Sequence, residues 1–167
     1  DKAIEYSLNG LELSKTNNHP YLEAKFLNAL GWLFTEKGQF DKSEEYYRFG
    51  VDLAIKNSFT DRLMFFYNNL GVLYERQSKF DLALESYFKS IDIARELNSK
   101  RDQILTLNNI GLVFYRLSEY QKAIDNLSQS IDLAIKENID SELTYSYLNL
   151  GLCYNELNEF NKASINF

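Results

Sequence analysis

The sequence contains few of the residues that interrupt or cross-link a chain, with 1 Pro, 1 Cys and 1 His among 167 residues. Glycine is also scarce, at 7 residues. This composition disfavours a turn-rich β sandwich and a disordered segment, because both are richer in proline and glycine. The single cysteine, Cys153, excludes a disulfide within the chain.

Long uniform runs are missing as well. No apolar stretch approaches the roughly 20 residues of a membrane-spanning helix, and no signal peptide is recognisable. Lysine and arginine form no basic run, and the net charge is -6 with a pI near 4.9. Nucleic-acid binding needs a concentrated basic face, and crossing a membrane needs a long apolar helix. We therefore expect this region to contact neither nucleic acid nor a membrane. The acidic balance suggests a neutral or basic partner.

Apolar and aromatic residues are abundant, at 45% and 15% of the chain. They follow a period of 40 residues, which is marked by Gly31, Gly71, Gly111 and Gly151. Around each glycine, large apolar residues recur at helical spacing, as in Tyr67, Leu70 and Tyr74. Each repeat therefore begins with an amphipathic helix.

A second helix follows in each repeat and carries small residues on its apolar stripe. One example is the series Ala83, Tyr87, Ser90 and Ala94. A glycine inside a helix costs about 1 kcal/mol relative to alanine, so glycines in register imply the close approach of a neighbouring helix. We expect the small residues of the second helix to form the other half of this contact.

Turn signals divide the chain into helices of similar length. Gly38 suits the left-handed residue that ends a helix, Pro20 suits a first helical turn, and Ser58 to Asp61 has capping-box character. We predict helices, with boundary errors of about 2–4 residues, at 20–37, 40–57, 60–77, 80–97, 100–117, 120–137 and 140–157. The chain is then a single array with a partial unit at 1–19, full units at about 20–59, 60–99 and 100–139, and a partial unit at 140–167. Incomplete end units indicate a fragment of a longer chain.

The motif large-x-x-Leu-Gly-x-x-aromatic, followed by Ala-x-x-x-aromatic-x-x-small, resembles the tetratricopeptide repeat. The resemblance covers the whole chain and implies a right-handed α-α superhelix, a solenoid of stacked antiparallel helix pairs whose first helices line a concave groove for a peptide or protein segment. The usual repeat is about 34 residues long and closes with proline, whereas Ile55, Arg95 and Ile135 occupy that place here. The 40-residue repeat of this chain is similar to the long variants of the family in bacterial signalling regulators and in cargo adaptors such as kinesin light chain.

The resemblance also assigns a set of groove-lining positions on the first helices, which we call the predicted groove residues. They are Lys25, Asn28, Trp32, Phe65, Asn68, Asn69, Val72, Arg76, Leu105, Asn108, Asn109, Leu112, Tyr115, Arg116, Tyr145, Asn149 and Leu152. Their apolar members form a stripe typical of an interaction surface. The alternative is that superhelical curvature, or parts of the parent protein, bury this stripe.

The paired asparagines allow two interpretations. An amide offers a donor and an acceptor, as an extended ligand backbone requires, so Asn28, Asn68 and Asn108 are candidate ligand contacts. The second asparagines, Asn69, Asn109 and Asn149, occupy a position where the family uses asparagine to bond neighbouring helices. We therefore predict that one asparagine of each pair holds the array and the other holds the ligand.

Charged groove positions are equally open. Arg76 and Arg116 either bind an acidic ligand or pair with nearby carboxylates such as Glu75, Glu36 or Glu119. The family's cochaperone members bind a terminal carboxylate through lysines and asparagines, but Asn28, Asn68 and Leu105 occupy those lysine positions. We therefore do not expect binding of a chaperone tail.

Catalytic chemistry is not indicated. His19 lies in a predicted turn and Cys153 at a predicted buried position, 134 residues apart in sequence. The carboxylates of the second helices are spread around each helix rather than clustered, so no metal site is predicted. No phosphate-binding glycine loop occurs, and we predict no enzyme activity and no cofactor.

The sequence therefore predicts a protein- or peptide-binding module, the sensory or recruiting region of a larger bacterial signalling or regulatory protein. The alternative is a structural spacer or self-association module, a homodimer in which the groove is filled by the chain itself or by a second copy. The expected location is the cytoplasm, or the periplasm if the parent chain is a membrane-bound sensor.

Overall fold

A computed structural model describes residues 2–159 of the chain. Across this range the protein consists of helices joined by short turns, without a β-strand, which confirms the all-α prediction. The helices are α1 Lys2–Thr16, α2 Pro20–Glu36, α3 Phe40–Lys56, α4 Thr60–Arg76, α5 Phe80–Glu96, α6 Lys100–Arg116, α7 Tyr120–Lys136 and α8 Leu143–Glu156. A short 3₁₀ helix, Asp140–Glu142, precedes α8. The even-numbered helices are the first helices of the repeats, and the odd-numbered ones are the second helices.

The helices end in one recurring type of turn. The residue just beyond each C-cap has a positive φ, and these residues are Asn18, Gly38, Ser58, Ser78, Asn98, Ser118, Asn138 and Asn158. At Ser78 the amide donates to the Glu75 carbonyl (2.9 Å), and the next amide, of Lys79, donates to the Tyr74 carbonyl (2.9 Å). This pair of bonds defines a Schellman motif, which satisfies the last carbonyls of the helix.

Helix ends agree with the predicted bounds, with two exceptions. The Ser58 to Asp61 capping box is wrong, because Ser58 terminates α3 in the left-handed region (φ 57°) and the N-cap of α4 is Phe59, which makes no side-chain cap bond. The last helix was predicted to begin at 140, but the α-helix begins at Leu143, after the 3₁₀ turn.

The glycines of the first helices leave room for large side chains of the second helices. A methyl group added at Gly71 would lie 2.5 Å from the Tyr87 ring, and one at Gly111 would lie 2.7 Å from Leu127 Cγ. Small residues do approach these glycines, since the Ser43 hydroxyl donates to the Gly31 carbonyl (2.7 Å). The side-chain space at each glycine, however, is filled by the large residue, which corrects the expectation that small residues complete the contact.

Small residues of the second helices accommodate the next first helix in the same way. The ring of Phe66 fills the space at Gly50. In the repeat two periods later, Ser130 and Ser146 take these places, with their hydroxyl oxygens 3.1 Å apart. Two serines of intermediate size thus replace the glycine and the phenylalanine ring, which preserves dense packing.

The chain divides into two compact units at Ile93 and Ala94, within α5. We call them the N-terminal half and the C-terminal half. In the N-terminal half α1 packs on α2, α2 on α3 and α3 on α4, and α2 also contacts α4. In the C-terminal half α7 packs on both α6 and α8, which also contact each other. First helices therefore neighbour one another in each half.

Candidate functional site

The predicted groove residues lie on the first helices of both halves, and the structure leaves all of them at least partly exposed. Lys25, Trp32, Arg76, Arg116 and Tyr145 are exposed, and the remaining members are half-buried. The predicted groove residues of α2 and α4, together with the other exposed side chains of these helices, form what we call the first-helix surface of the N-terminal half. Those of α6 and α8 form the corresponding surface of the C-terminal half.

Asparagine side chains join consecutive first helices directly. The Asn69 Nδ2 donates to Asn28 Oδ1 (2.8 Å), and Asn149 Nδ2 donates to Asn108 Oδ1 (3.1 Å). Asn68 and Asn109 also take part in interactions. The second asparagine of these pairs thus holds the array, as one interpretation predicted, but it does so by bonding to the first asparagine of the preceding repeat.

This bond uses the amide oxygen of the first asparagine and leaves its N–H donors for a ligand. An amide oxygen and an amide nitrogen have separate hydrogen-bonding roles. In Asn28 and Asn108 the oxygen accepts the bond from the next helix, whereas the Nδ2 group makes no hydrogen bond within residues 2–159. Both residues therefore present unused donors on a half-buried surface.

A second contact between α2 and α4 is an ion pair above an indole ring. Arg76 Nη2 donates to Glu36 Oε1 (2.6 Å), and the guanidinium carbon lies 5.7 Å from the centre of the Trp32 ring. The arginine therefore has the carboxylate partner that the sequence suggested as an alternative to a ligand. About 40% of each of these three side chains is exposed, with values of 41% for Arg76, 45% for Glu36 and 40% for Trp32.

A third contact lies near the start of the same two helices. The Tyr21 hydroxyl donates to Asp61 Oδ2 (2.6 Å), and Arg62 Nε donates to the same oxygen (3.0 Å). The Arg62 guanidinium stacks over Tyr21 and Phe65, at 5.2 and 4.7 Å from the ring centres. Partial burial works to raise the pKa of Asp61, but the bonds from Tyr21 and Arg62 outweigh it and lower the pKa. Asp61 is therefore ionised at neutral pH.

The sequence did not predict this cluster, because its residue types differ at the same positions in the other repeats. In the C-terminal half, for example, Arg101 of α6 donates to Glu142 of the 3₁₀ helix (3.2 Å), whereas Asp61 and Arg62 both lie on α4. The available signal was the complementary pairing of residues 40 or 41 positions apart, which also joins Glu36 to Arg76 and Asn28 to Asn69.

The first-helix surface of the C-terminal half is more apolar. Leu105, Leu112 and Leu152 are half-buried there, and Tyr145 and Leu148 are 64% and 46% exposed. The Asn108 and Asn149 pair lies among these residues. This surface can offer apolar contact together with amide donors.

Two clefts lie on the second-helix side of the N-terminal half and contain none of the predicted groove residues. One, of about 440 Å³, is lined by residues of α1 to α3 that include Leu27, Tyr46 and Phe49, and the other, of about 410 Å³, is lined by residues of α3 to α5 that include Tyr67 and Leu70. Acidic and basic side chains both border them, as Glu45 and Lys56 border the first. Their mixed charge selects no particular ligand.

The single cysteine of the sequence lies in the interior of the C-terminal half. Cys153 is buried, and this burial raises the pKa of its thiol to about 11, so the group is a neutral thiol at physiological pH. Among residues 2–159, no three histidine, cysteine or acidic side chains lie close enough to hold a metal ion. In the same range no helix is both long and apolar enough to span a bilayer.

Comparison with models of known protein families identifies the family of this chain. A model of the tetratricopeptide repeat matches residues 63–136 and 103–167, and another model of that repeat matches residues 24–54. The first model alone covers 63–167, more than half of the 167 residues. The chain belongs to the tetratricopeptide repeat family. A comparison with curated proteins found no match.

Solved structures of other repeat proteins have the same fold. The tetratricopeptide repeat chain superimposes on a signal transduction ATPase with a tetratricopeptide repeat sensor from Pyrococcus horikoshii, with a TM-score of 0.87 and 19% identity, over 98% of this chain and 25% of that one. For aspartyl phosphate phosphatase F from Bacillus subtilis the TM-score is 0.82 and the identity 20%, over 86% and 38% of the chains. For BtubC from P. vanneervenii the values are 0.78 and 22%, over 88% and 61%.

This tetratricopeptide repeat chain therefore spans between a quarter and about three fifths of the length of these proteins. The repeat fold generally serves as a non-catalytic scaffold for protein interaction, and neither family match indicates a catalytic family.

Proposed function

We propose that this chain is a peptide- or protein-binding module and that it forms the sensory or recruiting region of a larger signalling or regulatory protein. The repeat fold supports an interaction role. Its similarity to a signal transduction ATPase with a tetratricopeptide repeat sensor, of which it covers 25%, supports a place within a longer regulator.

The observation that carries the proposal is the hydrogen bonding of the first asparagine in each pair. Asn28 and Asn108 are half-buried, their oxygens are already bonded to the next helix, and their Nδ2 groups have no partner within residues 2–159. Neither Nδ2 group is fully buried, so each is accessible to a ligand carbonyl group, which accepts a hydrogen bond from an amide N–H. Half-buried rings and leucines beside the amides supply the apolar contact that peptide binding also needs.

A selection from a displayed random-peptide library tests this function. The wild-type chain should enrich a common set of peptides, and an Asn28→Ala/Asn108→Ala variant should bind them about tenfold more weakly or worse, because each lost amide contact is worth about 1 kcal/mol. Circular dichroism must show that the variant remains folded. Equal affinity of the two folded proteins would contradict the asparagine mechanism.

Self-association is the second candidate function, and the exposure of Tyr145 and Leu148 favours it. A second copy that covers these apolar side chains would remove them from water. Light scattering at several concentrations distinguishes the two functions. A stable wild-type dimer that dissociates in a Tyr145→Ser/Leu148→Ser variant would support self-association. A monomer that binds selected peptides would exclude it.

A further inference from the structure

Helix α3 is apolar on two faces, and only one of them packs in the core of the N-terminal half. The core face consists of four buried residues, Ser43, Tyr47, Gly50 and Ala54. The other face carries Tyr46, Phe49 and Leu53, which are spaced as i, i+3 and i+7. These three residues line the cleft of about 440 Å³ together with Leu11 of α1 and Leu27 of α2. We call it the α1–α3 cleft.

The second apolar face of α3 is not a requirement of the repeat. Polar residues take the places of Tyr46 and Phe49 in the later second helices, namely Ser86 and Lys89 in α5 and Asn126 and Gln129 in α7. Tyr46 has a packing role, because its ring stacks on Phe34 with 5.4 Å between the ring centres. Phe49 makes no ring contact within residues 2–159 and is 55% exposed. An exposed ring beside an apolar cleft indicates a contact surface.

Two carboxylates flank Phe49 along the exposed side of α3. Glu45 lies one helical turn before it and Asp52 about one turn after it. Neither carboxylate makes an ion pair within residues 2–159. Lys56, a further turn along α3, also has no ion pair in this range, whereas Arg48 is already paired with Glu44 (2.7 Å). The positions on both sides of the ring can therefore accept a cation from outside the chain.

Mixed charge alone does not define a ligand for this cleft, but the balance of its charges is slightly acidic. Two lysines and three carboxylates line it, which gives -1, and they are Lys15, Lys56, Glu23, Glu45 and Asp52. The whole helices give the same result, because α1 carries two cations and two carboxylates and α3 carries three cations and four carboxylates. The excess therefore does not depend on where the cleft is bounded.

The lining of the α1–α3 cleft favours a helix over an extended segment. Its polar groups are carboxylates, ammonium groups and the Tyr46 hydroxyl, with no carboxamide side chain among the lining residues. An extended segment needs partners for its backbone N–H and C=O groups, whereas a helix bonds its own backbone internally. Because α2 packs on both α1 and α3, the nearly buried Leu27 lies at the base of the cleft. A groove between two helices can receive the apolar stripe of a third.

We propose that the α1–α3 cleft binds an amphipathic helix of a partner protein. This helix packs large apolar side chains on Phe49 and Leu53 and places a lysine or arginine near Glu45 and Asp52. The site lies on the second-helix side, so it is separate from the first-helix surface and does not depend on its asparagines. The net charge of the chain, -6, favours a basic partner and opposes a second copy of the chain as the occupant.

The test uses the whole chain and three capped, fluorescently labelled peptides of equal length. The first, the ordered Lys peptide, has a helical stripe of Leu flanked by Lys in an Ala background. The second has Glu in place of Lys, and the third has the composition of the first with its Leu residues scattered around the helix. In fluorescence anisotropy titrations we expect the ordered Lys peptide to bind at least about tenfold more tightly than either of the others, because they lose the ionic contacts or the apolar stripe.

Phe49→Gln tests the apolar contact with a residue that the repeat itself uses, since Gln129 occupies this position in α7. It should weaken binding of the ordered Lys peptide about tenfold, because the ring no longer covers apolar surface of the ligand. The matched control is Phe88→Gln, because Phe88 of α5 is 45% exposed and does not line the cleft. The control should change the affinity less than about twofold. Circular dichroism must show that both variants remain folded.

A double substitution, Glu45→Gln/Asp52→Asn, tests the ionic contacts. It should weaken binding of the ordered Lys peptide about fivefold, because two exposed ion pairs are lost. The matched control is Asp125→Asn/Asp132→Asn, which removes two charges from the corresponding exposed positions of α7. If only the net charge of the chain attracted the peptide, the two double variants would weaken binding equally, and the proposal would be overturned.

The remaining outcomes separate this inference from the proposed function. Equal binding of the ordered and scattered Lys peptides, no binding of the ordered one, or equal effects of Phe49→Gln and Phe88→Gln would overturn it. A wild-type dimer that Phe49→Gln dissociates would also overturn it, because a second copy would then occupy the cleft. The Asn28→Ala/Asn108→Ala variant should bind the ordered Lys peptide as the wild type does, and a loss would place that peptide on the first-helix surface. Library peptides that still bind the Phe49→Gln variant would show that the proposed function is independent of this cleft.

Discussion

Among single residues, Tyr47 offers the clearest dependence of stability on pH. Its side chain is fully buried, and this burial raises the pKa to about 12 against the opposing effect of the Thr35 and Ser43 hydroxyls beside it. The oxygens of those two hydroxyls lie 2.6 Å apart, both are within hydrogen-bonding distance of the Gly31 carbonyl, and the Tyr47 hydroxyl has no hydrogen bond of good geometry within residues 2–159. Ionisation would place an unpaired charge in the core.

The pKa shift predicts the alkaline behaviour. An unfolded tyrosine ionises near pH 10, so between about pH 10 and pH 12 the unfolded chain has lost a proton that the folded chain retains. The stability contributed by neutral Tyr47 is complete below about pH 10 and falls by about 1.4 kcal/mol per pH unit until the folded pKa is reached. Urea unfolding from pH 8 to 12 should therefore show a shallower decline for Tyr47→Phe than for the wild type. The same slope in both proteins, with exposed Tyr6→Phe as the control, would contradict this assignment.

The contact between Gly50 and Phe66 tests whether the small residues of the second helices exist for packing. Gly50→Ala gains about 1 kcal/mol of helix propensity, but the new methyl group meets the Phe66 ring, and overpacking costs about 1–3 kcal/mol. We expect net destabilisation of about 1 kcal/mol in the wild type and little or none in a Phe66→Leu background. A double-mutant cycle of unfolding free energies measures the coupling, and additive effects would show that Phe66 does not set the requirement for glycine.

The glycine positions could be predicted from the sequence, but their partners could not. Register alone identifies Gly31, Gly71 and Gly111 as sites of close approach, because a helical glycine is costly. Whether a small residue or a ring fills the space depends on the axial offset between packed helices, and the residue spacing within one helix does not contain that offset. The asparagine contacts are similar, since the sequence does not show that Asn69 pairs with Asn28 of the previous repeat.

The helices themselves could be predicted more completely. Hydrophobic periodicity and turn residues located α2 to α7 to within about one residue, because each of these helices has 17 residues and is followed by the same turn. Serine at the end of α3 misled the prediction, because the same residue type serves as an N-cap and as a left-handed terminator. The two roles of serine differ in backbone conformation, which the residue type alone does not reveal.

Helix termination gives a prediction about whole elements. Ser78 has φ 57°, where a residue with a Cβ atom is strained, whereas Gly38 takes the same turn at φ 69° with open space around it. Ser78→Gly should therefore raise the free energy of unfolding by about 0.5–1 kcal/mol, and Gly38→Ala should lower it by a similar amount. Thermal and urea unfolding of the two variants check the signs. A loss of stability in Ser78→Gly would mean that the serine side chain contributes more than its backbone strain costs.

For the molecule as a whole, the main structural consequence of the repeat is that packing is local in sequence. In the N-terminal half the helices α1 to α4 pack on their neighbours along the chain, and α2 also contacts α4. A repeat protein built in this way has a stability that is approximately a sum of unit and nearest-neighbour terms. Damage to one contact should therefore remain local.

Hydrogen exchange can detect this locality with two matched substitutions in the N-terminal half. Gly10→Ala places a methyl group against the Phe26 ring, between α1 and α2, and Gly71→Ala places one 2.5 Å from the Tyr87 ring, between α4 and α5. A local destabilisation of 1–2 kcal/mol corresponds to about 5- to 30-fold faster exchange. We expect Gly10→Ala to accelerate exchange in α1 and α2 by about this factor while α4 changes less than about twofold, and Gly71→Ala to affect α4 and spare α1. If both variants accelerated exchange equally in all these helices, the half would unfold as one cooperative domain, and the nearest-neighbour description would be wrong.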